Sequence, residues 1–309
     1  MAEVAGSATL KGLAARVHRR RRPLRRVLTP LLFLAPFLVL FVFFLIAPLA
    51  YALRMGLYSD RLVGGSVYVG TQNFERAIHD GYFYEGLRHM ALFGLVQIPV
   101  MIGLALLFAL ILDAGAVWLP RFFRLAFFVP FAVPTVVAAL MWGYLYAPSF
   151  GPFAQLARDV GLPAPGFLTA GGMLASLGNV VTWEWTGYNM IILYAALKAI
   201  PPELTEAASV DGATAWQTAR DVRIPLIRPA LVLTIVFSII GTLQLFNEPQ
   251  IMNAIAPDVI GTHYTPNLYA YSLAFTAQQF NYAAAVSFVL GAVVFIGSYT
   301  FILATRRRR

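Results

Sequence analysis

The chain alternates between long apolar runs and short polar breaks. Six runs stand out, over residues 31–53, 90–112, 124–146, 176–197, 230–246 and 282–305. Each is close to the roughly 20 residues that carry a helix across a bilayer core. The pattern predicts an all-α membrane protein with six transmembrane helices. Pro36 and Pro48 interrupt the first run, and Pro130 and Pro134 lie inside the third. Membrane helices tolerate such prolines when neighbours re-satisfy the freed backbone. The breaks are Arg54 to His89, Asp113 to Phe123, Pro148 to Ala175, 198–229 and Asn247 to Asn281. An Arg-rich tail, residues 1–30, precedes a six-span body, residues 31–309. The first run is longer than the core of a cleaved signal peptide, so a retained span is expected.

Composition agrees with this pattern. Only 12% of residues are charged and 59% are hydrophobic, against about a quarter charged in soluble domains. The net charge of +9 gains meaning from its placement. With six spans, 18 of the 23 Lys and Arg fall on the side of the termini and five on the other. Positive charge marks the cytoplasmic side. Both termini and the 198–229 break are therefore expected in the cytoplasm. Cysteine is absent, which excludes disulfides, cysteine-ligated zinc and thiol catalysis.

The 198–229 break is the most structured of the polar stretches. Pro202 suits a first helical position, with Glu203 and Glu206 expected in its first turn, where negative charge favours the helix dipole. Gly212 is placed for a left-handed cap. Thr214 and Gln217 have the spacing of a capping box for a second helix. Arg220 and Arg223 fall near its end, and Pro225 and Pro229 are expected to stop it. Glu206-Ala207-Ala208, Gly212 three residues on, and Val222-Arg223-Ile224-Pro225 after nine more resemble the EAA signature of binding-protein-dependent ABC importer permeases. Val222 and Ile224 are mild departures from the usual Ile-x-Leu-Pro ending. Tyr68 to Phe74 resembles the pattern before the second span in sugar-type members.

The resemblance implies a type I ABC importer permease fold and the first permease of a carbohydrate importer of the maltose or glycerol-phosphate type. It implies that 198–229 is a coupling loop in which Glu206, Ala207, Ala208, Asp211, Gly212, Trp216 and Pro225 meet a cytoplasmic ATPase. The implied partners are a second homologous permease, ABC ATPase subunits, an extracytoplasmic solute-binding protein and a sugar substrate, in a bacterial cytoplasmic membrane. One stretch departs from the family: Met252 to Pro257 stands where many members carry a Gly-rich segment.

No phosphate-binding Gly-Lys-Ser/Thr exists, since Lys11 and Lys198 are the only lysines and neither fits. Energy must come from another subunit or from an ion gradient. No catalytic residue, metal ligand set or cofactor is expected. A membrane-embedded hydrolase would need clustered catalytic groups, whereas all four His lie outside the span centres. A gradient-driven secondary carrier is the rival reading, and its ionisable candidates would be Glu184 and Glu248. At 100° per residue, Asn179, Thr182, Thr186 and Asn189 share one face of the fourth run, with Trp185 beside it and Glu184 and Tyr188 opposite. In the fifth run Thr234, Ser238 and Gly241 form a small polar stripe leading to Glu248, flanked by Gln244 and Asn247. Amides, hydroxyls and indoles suit a neutral, hydroxyl-rich solute. Glu184, Trp185, Tyr188, Asn189, Gln244, Asn247 and Glu248 are the candidate substrate path, with helix packing as the alternative role for the same groups.

Overall fold

The computed structural model describes residues 24–61, 64–115 and 117–306, and it is mostly helical. The chain divides into two compact units, residues 1–52 and 53–309. The first contains most of α1, a helix running Leu24–Phe41, through a π turn at Val42–Ile46, to Ala47–Gly56. From Leu32 to Leu53 its large apolar side chains are exposed, as suits a helix whose solvent is lipid. The basic tail lies outside the described residues as far as residue 23.

The second unit opens with an antiparallel hairpin, β1 (Tyr58–Arg61) and β2 (Gly65–Tyr68), with Tyr58 opposite Tyr68. Helix α2 (Gln72–Ile78) and the 33-residue α3 (Gly81–Asp113) follow. The stretch from Arg54 to His89 is thus not only a loop. Helix α3 begins at Gly81 because Asp80 caps it, accepting from the Tyr82 and Phe83 N–H groups. Hydropathy marks where lipid begins, and a capped helix can extend beyond that.

The third expected span is two helices, α4 (Pro120–Ala132) and α5 (Thr135–Tyr146), bent by 95°. Proline disfavours helical backbone in the residue before it. Val133, before Pro134, is extended at ψ 128°, and Pro134 itself has ψ 130°. Two consecutive extended residues turn the chain. Helix α6 (Pro152–Asp159) lies in the Gly- and Pro-rich stretch, and α7 (Met173–Lys198) follows. The 198–229 break holds α8 (Pro202–Val210) and α9, which runs Ala215–Gln217, through a π turn at Thr218–Arg223, to Ile224–Leu226. Helix α10 (Arg228–Leu243) stops before the expected end of the fifth span. The chain unwinds at Gln244 to Phe246 and resumes as α11 (Asn247–Ile255). Helix α12 (Pro266–Tyr271, with a π turn at Ser272–Thr276) and α13 (Phe280–Arg306) complete the chain.

Among the described residues four stretches are long and apolar enough to cross a membrane, α1, α3, α10 continued into α11, and α13, and the bent pair α4–α5 makes a fifth candidate. Helix α7 is long enough at 26 residues, about 39 Å at 1.5 Å per residue. Its polar side chains, Asn179, Thr182, Glu184, Thr186 and Asn189 among them, make it less apolar than those helices. It is the packing centre of the second unit, lying along α3 and against α4. Ala105 and Ala109 of α3 are fully buried beside Met190, Leu193 and Leu197 of α7. At Gly187 a side chain would overlap the Phe127 carbonyl of α4, so only glycine permits that approach.

Two π turns have a local cause. A proline in a helix clashes with the carbonyl four residues earlier. For Pro48 and Pro225 those residues are Phe44 and Asp221, and each lies inside a π turn. The wider turn moves the carbonyl aside. Pro225 therefore does not end its helix as expected; the chain breaks only at Ile227.

Candidate functional site

A cavity of about 230 Å³ lies between α7, α10 and the unwound segment. Trp185, Tyr188 and Asn189 of α7 line it, an i, i+3, i+4 set that forms one helix face. Ser238 and Gly241 of α10 line it too, with Gln244 from the unwound segment and Asn247 and Glu248 from α11. Gln97 and Met101 of α3 and Thr135, at the α4–α5 bend, complete the polar side of the wall.

Six of the seven candidate path residues thus surround one space. Tyr188 belongs with Trp185 and Asn189 rather than on an opposite face. Glu184 does not line the cavity. It is 2% exposed and sits behind the wall, where Thr135 Oγ1 donates to Glu184 Oε1 at 2.6 Å. Three of the other polar residues of α7 have packing partners instead. Asn179 donates to the Tyr146 hydroxyl at 2.7 Å, Thr182 accepts from Gln97 Nε2 at 3.5 Å, and Thr186 donates to the Thr182 carbonyl. Thr234 is buried outside the cavity. Gln97 and Thr135 were absent from the candidates. The only signal for Gln97 was an amide in an otherwise apolar run, and for Thr135 a hydroxyl directly after Pro134.

Backbone that leaves the helix at membrane depth must line a cavity or be satisfied by protein. Gln244 to Phe246 does both: it borders the cavity, and the Gln244 carbonyl accepts from Asn267 Nδ2 at 2.7 Å. An aromatic group backs the other side. Phe131 stacks on Tyr188 with centroids 4.7 Å apart and meets Trp185 edge-on at 5.2 Å.

The second site is the 198–229 loop. Helix α8 ends in a Schellman cap: Ala213 N donates to the Ala208 carbonyl at 2.9 Å and Gly212 N to the Ser209 carbonyl at 3.1 Å. Gly212 has φ +81°. The Thr214–Gln217 capping box is present in both directions. Glu203 occupies the first turn of α8, with Glu206 one turn further on. Glu206, Ala207, Asp211, Gly212, Trp216 and Pro225 are exposed and Ala208 is half-buried. Glu206 and Trp216 border one open groove between the loop and the last turns of α3, and Val210 projects beside them, 87% exposed. Thr218 and Ala219 face inward.

A carboxylate ties this loop to the helices that reach the cavity. Asp113, the last residue of α3, pairs with Arg223 of α9 at 3.0 Å and with Lys198, the last residue of α7, at 2.9 Å. Asp113 thus links α9 to both helices that carry Gln97 and Trp185.

Comparison with known proteins agrees with this architecture. Residues 104–309 match the model of the family described as binding-protein-dependent transport system inner membrane component. The lactose transport system permease protein LacF of Rhizobium radiobacter is 32% identical over 284 residues, covering 90% of this chain and 94% of that protein. The diacetylchitobiose uptake system permease protein NgcF of Streptomyces coelicolor is 29% identical over 306 residues, covering 94% and 86%. In fold, a bacterial ABC transporter involved in import of the acidic polysaccharide alginate superposes with a TM-score of 0.80 at 20% identity, covering 92% of this chain and 97% of that one. The chain belongs to the family of binding-protein-dependent transport system inner membrane components.

Proposed function

We propose that this chain is a permease subunit of an ATP-driven, binding-protein-dependent importer of sugars or oligosaccharides. The observation that carries this reading is the combination, on one chain, of an amide-, indole- and hydroxyl-lined cavity with a preformed two-helix loop tied to its walls through Asp113. The saccharide-uptake relatives, matched along nearly the full chain, support the substrate class. At about 230 Å³ the cavity is smaller than the roughly 300–1,000 Å³ of complete small-molecule sites. A homologous permease facing it would complete the enclosure.

In this reading Trp185, Tyr188, Asn189, Gln244, Asn247 and Glu248 line the path, while Glu206, Ala207, Ala208, Asp211, Gly212, Trp216 and Pro225 form the coupling surface. Residues 31–309 are the permease domain behind a basic tail. Closure of an ATPase pair on the coupling loop moves α9, and through Asp113 it moves α3 and α7, opening the cavity to solute delivered by an extracytoplasmic binding protein. In this reading both termini and the loop face the cytoplasm, which the charge distribution supports.

The topology is tested in this cysteine-free chain with single substitutions Ser7→Cys and Thr262→Cys. A membrane-impermeant thiol reagent applied to intact cells should label the second and not the first; the reverse would overturn the orientation. The function is tested by uptake of labelled saccharides into liposomes carrying the assembled transporter. Uptake that needs neither ATP nor the binding protein would overturn it.

A further inference from the structure

We propose that Glu248 and Glu184 make the cavity an electrostatic filter that accepts neutral and amino-bearing saccharides and rejects carboxylated ones. The inference rests on the cavity being the solute path. Glu248 is 4% exposed and lines the cavity, and Glu184 is 2% exposed directly behind Thr135. Among the described residues that line the cavity there is no Lys, Arg or His. The neutral groups there, such as the Asn189 and Gln244 amides, cannot neutralise an anion.

A second observation shows what the wall is short of. Gln97 lines the cavity, is 4% exposed, and its Oε1 has no partner among the described residues. Its Nε2 is already turned towards Met101 and Thr182. Glu184 Oε2 is likewise buried without a partner. Buried polar atoms are normally hydrogen-bonded, so the Gln97 acceptor in the cavity wall marks a demand for a donor, while Glu184 Oε2 lies behind that wall. Hydroxyl and ammonium groups supply donors, and a carboxylate supplies none. A carboxylate in the cavity would face Glu248, with Glu184 behind the wall, and no lining cation to offset them. An ammonium group would find the opposite situation.

The absence of cysteine allows a test that needs no knowledge of the natural substrate. Ser238→Cys places a thiol in the cavity wall. The transporter, assembled with its partner permease and ATPase in mildly alkaline buffer, is treated with cationic and anionic methanethiosulfonates of similar size. Background from other subunits is read on the parent complex, and rates are normalised to free thiol. The cationic reagent should be favoured by about tenfold or more, as in clefts lined by one sign of charge. Adding Glu184→Gln and Glu248→Gln should bring the ratio close to one. Lactose and a glucosamine disaccharide should slow labelling, and a galacturonate disaccharide should do so only after both carboxyls are removed. Equal rates in the parent, a ratio indifferent to the two Gln substitutions, or equal protection by the galacturonate disaccharide would overturn the filter while leaving the path intact. A thiol that neither reagent reaches, or that no saccharide protects, would overturn the path and the filter together.

Discussion

Arg223 of the loop reaches the Asp113 carboxylate at the end of α3 at 3.0 Å, and both side chains are largely withdrawn from solvent, 21% and 10% exposed. Asp113 is shared with Lys198, whose side chain is 52% exposed. The pair is thus an anchor for α9, with Lys198 as a screened accessory. Removing one member of a half-buried pair leaves the other charge partly withdrawn from water and unpaired, which costs more than losing an exposed pair. Exposed pairs are worth about 0–1 kcal/mol. Asp113→Asn and Arg223→Ala should therefore lower the thermal unfolding midpoint of the purified complex clearly, and Lys198→Ala only slightly. A larger effect of Lys198→Ala would show that the anchor lies at α7 instead.

Gly212 should resist substitution for a backbone reason alone. A side chain there would meet no atom within 4 Å, but its φ of +81° lies in the left-handed region. That conformation costs an ordinary residue about 1–2 kcal/mol. Gly212→Asn should retain binding-protein-stimulated ATP hydrolysis, since Asn tolerates this region, and Gly212→Val should lose most of it. Equal activity of the two variants would mean that the cap does not set the loop's working shape.

Asp80 sits outside the membrane spans and joins three elements. It caps α3, and it accepts hydroxyl hydrogen bonds from Tyr269 of α12 and Tyr282 of α13. Burial raises its pKa, but the hydrogen bonds from Tyr269, Tyr282, Phe83 N and Tyr82 N together outweigh that and hold it below the ordinary carboxylate value. Burial first, and then the bond to Asp80, push the Tyr269 phenol upward. A carboxyl lowered by folding contributes stability that is fully present above its unfolded value, about 3.9. That contribution is lost as pH falls through the folded value. The difference in unfolding midpoint between the parent and Asp80→Asn should be constant above about pH 5 and shrink below about pH 4. A difference that grows on acidification would contradict this sign.

The polar residues of α7 predict a division of labour. Asn189 lines the cavity, whereas Asn179 bonds the Tyr146 hydroxyl away from it. Asn189→Ala and Gln244→Ala should weaken saccharide-dependent stimulation of ATP hydrolysis, measured as a raised half-saturating concentration, in complexes that still assemble. Asn179→Ala should lower the unfolding midpoint and leave that concentration unchanged. If the two effects fall on the opposite residues, the cavity is not the path.

The fold was legible wherever one residue type dictates a local outcome. Gly212 and the Thr214–Gln217 pair specify a cap and a capping box from their own chemistry, and both are present. The polar residues noted on the fourth run lie on α7, which is the packing centre of its unit. Outcomes set by tertiary packing were not legible. Pro134 turns the chain by 95° while Pro225 is carried inside a helix. The difference lies in the residue before each proline: Val133 is extended whereas Ile224 keeps helical backbone, and nothing in the residue type reports that. Gln97 and Thr135 reach the cavity only because α3 and the α4–α5 bend pack around α7. Glu184 and Tyr188 share a side of the helical wheel, yet only Tyr188 reaches the cavity, because a wheel gives direction and not the width of the space between helices. Asp113 is an isolated carboxylate in the sequence, and its role appears only when Lys198 and Arg223 are brought to it.

The central claim is that movement of the 198–229 loop, driven by ATP in a separate subunit, opens the cavity to a saccharide. The most direct measurement is uptake of labelled saccharide by liposomes holding the assembled transporter, with binding protein outside and ATP inside. Uptake should require both, should be indifferent to collapse of the proton gradient, and should be lost in Glu206→Ala and Gly212→Trp complexes that assemble normally. Uptake that persists without ATP, follows the proton gradient, or survives both loop substitutions at full rate would contradict the account.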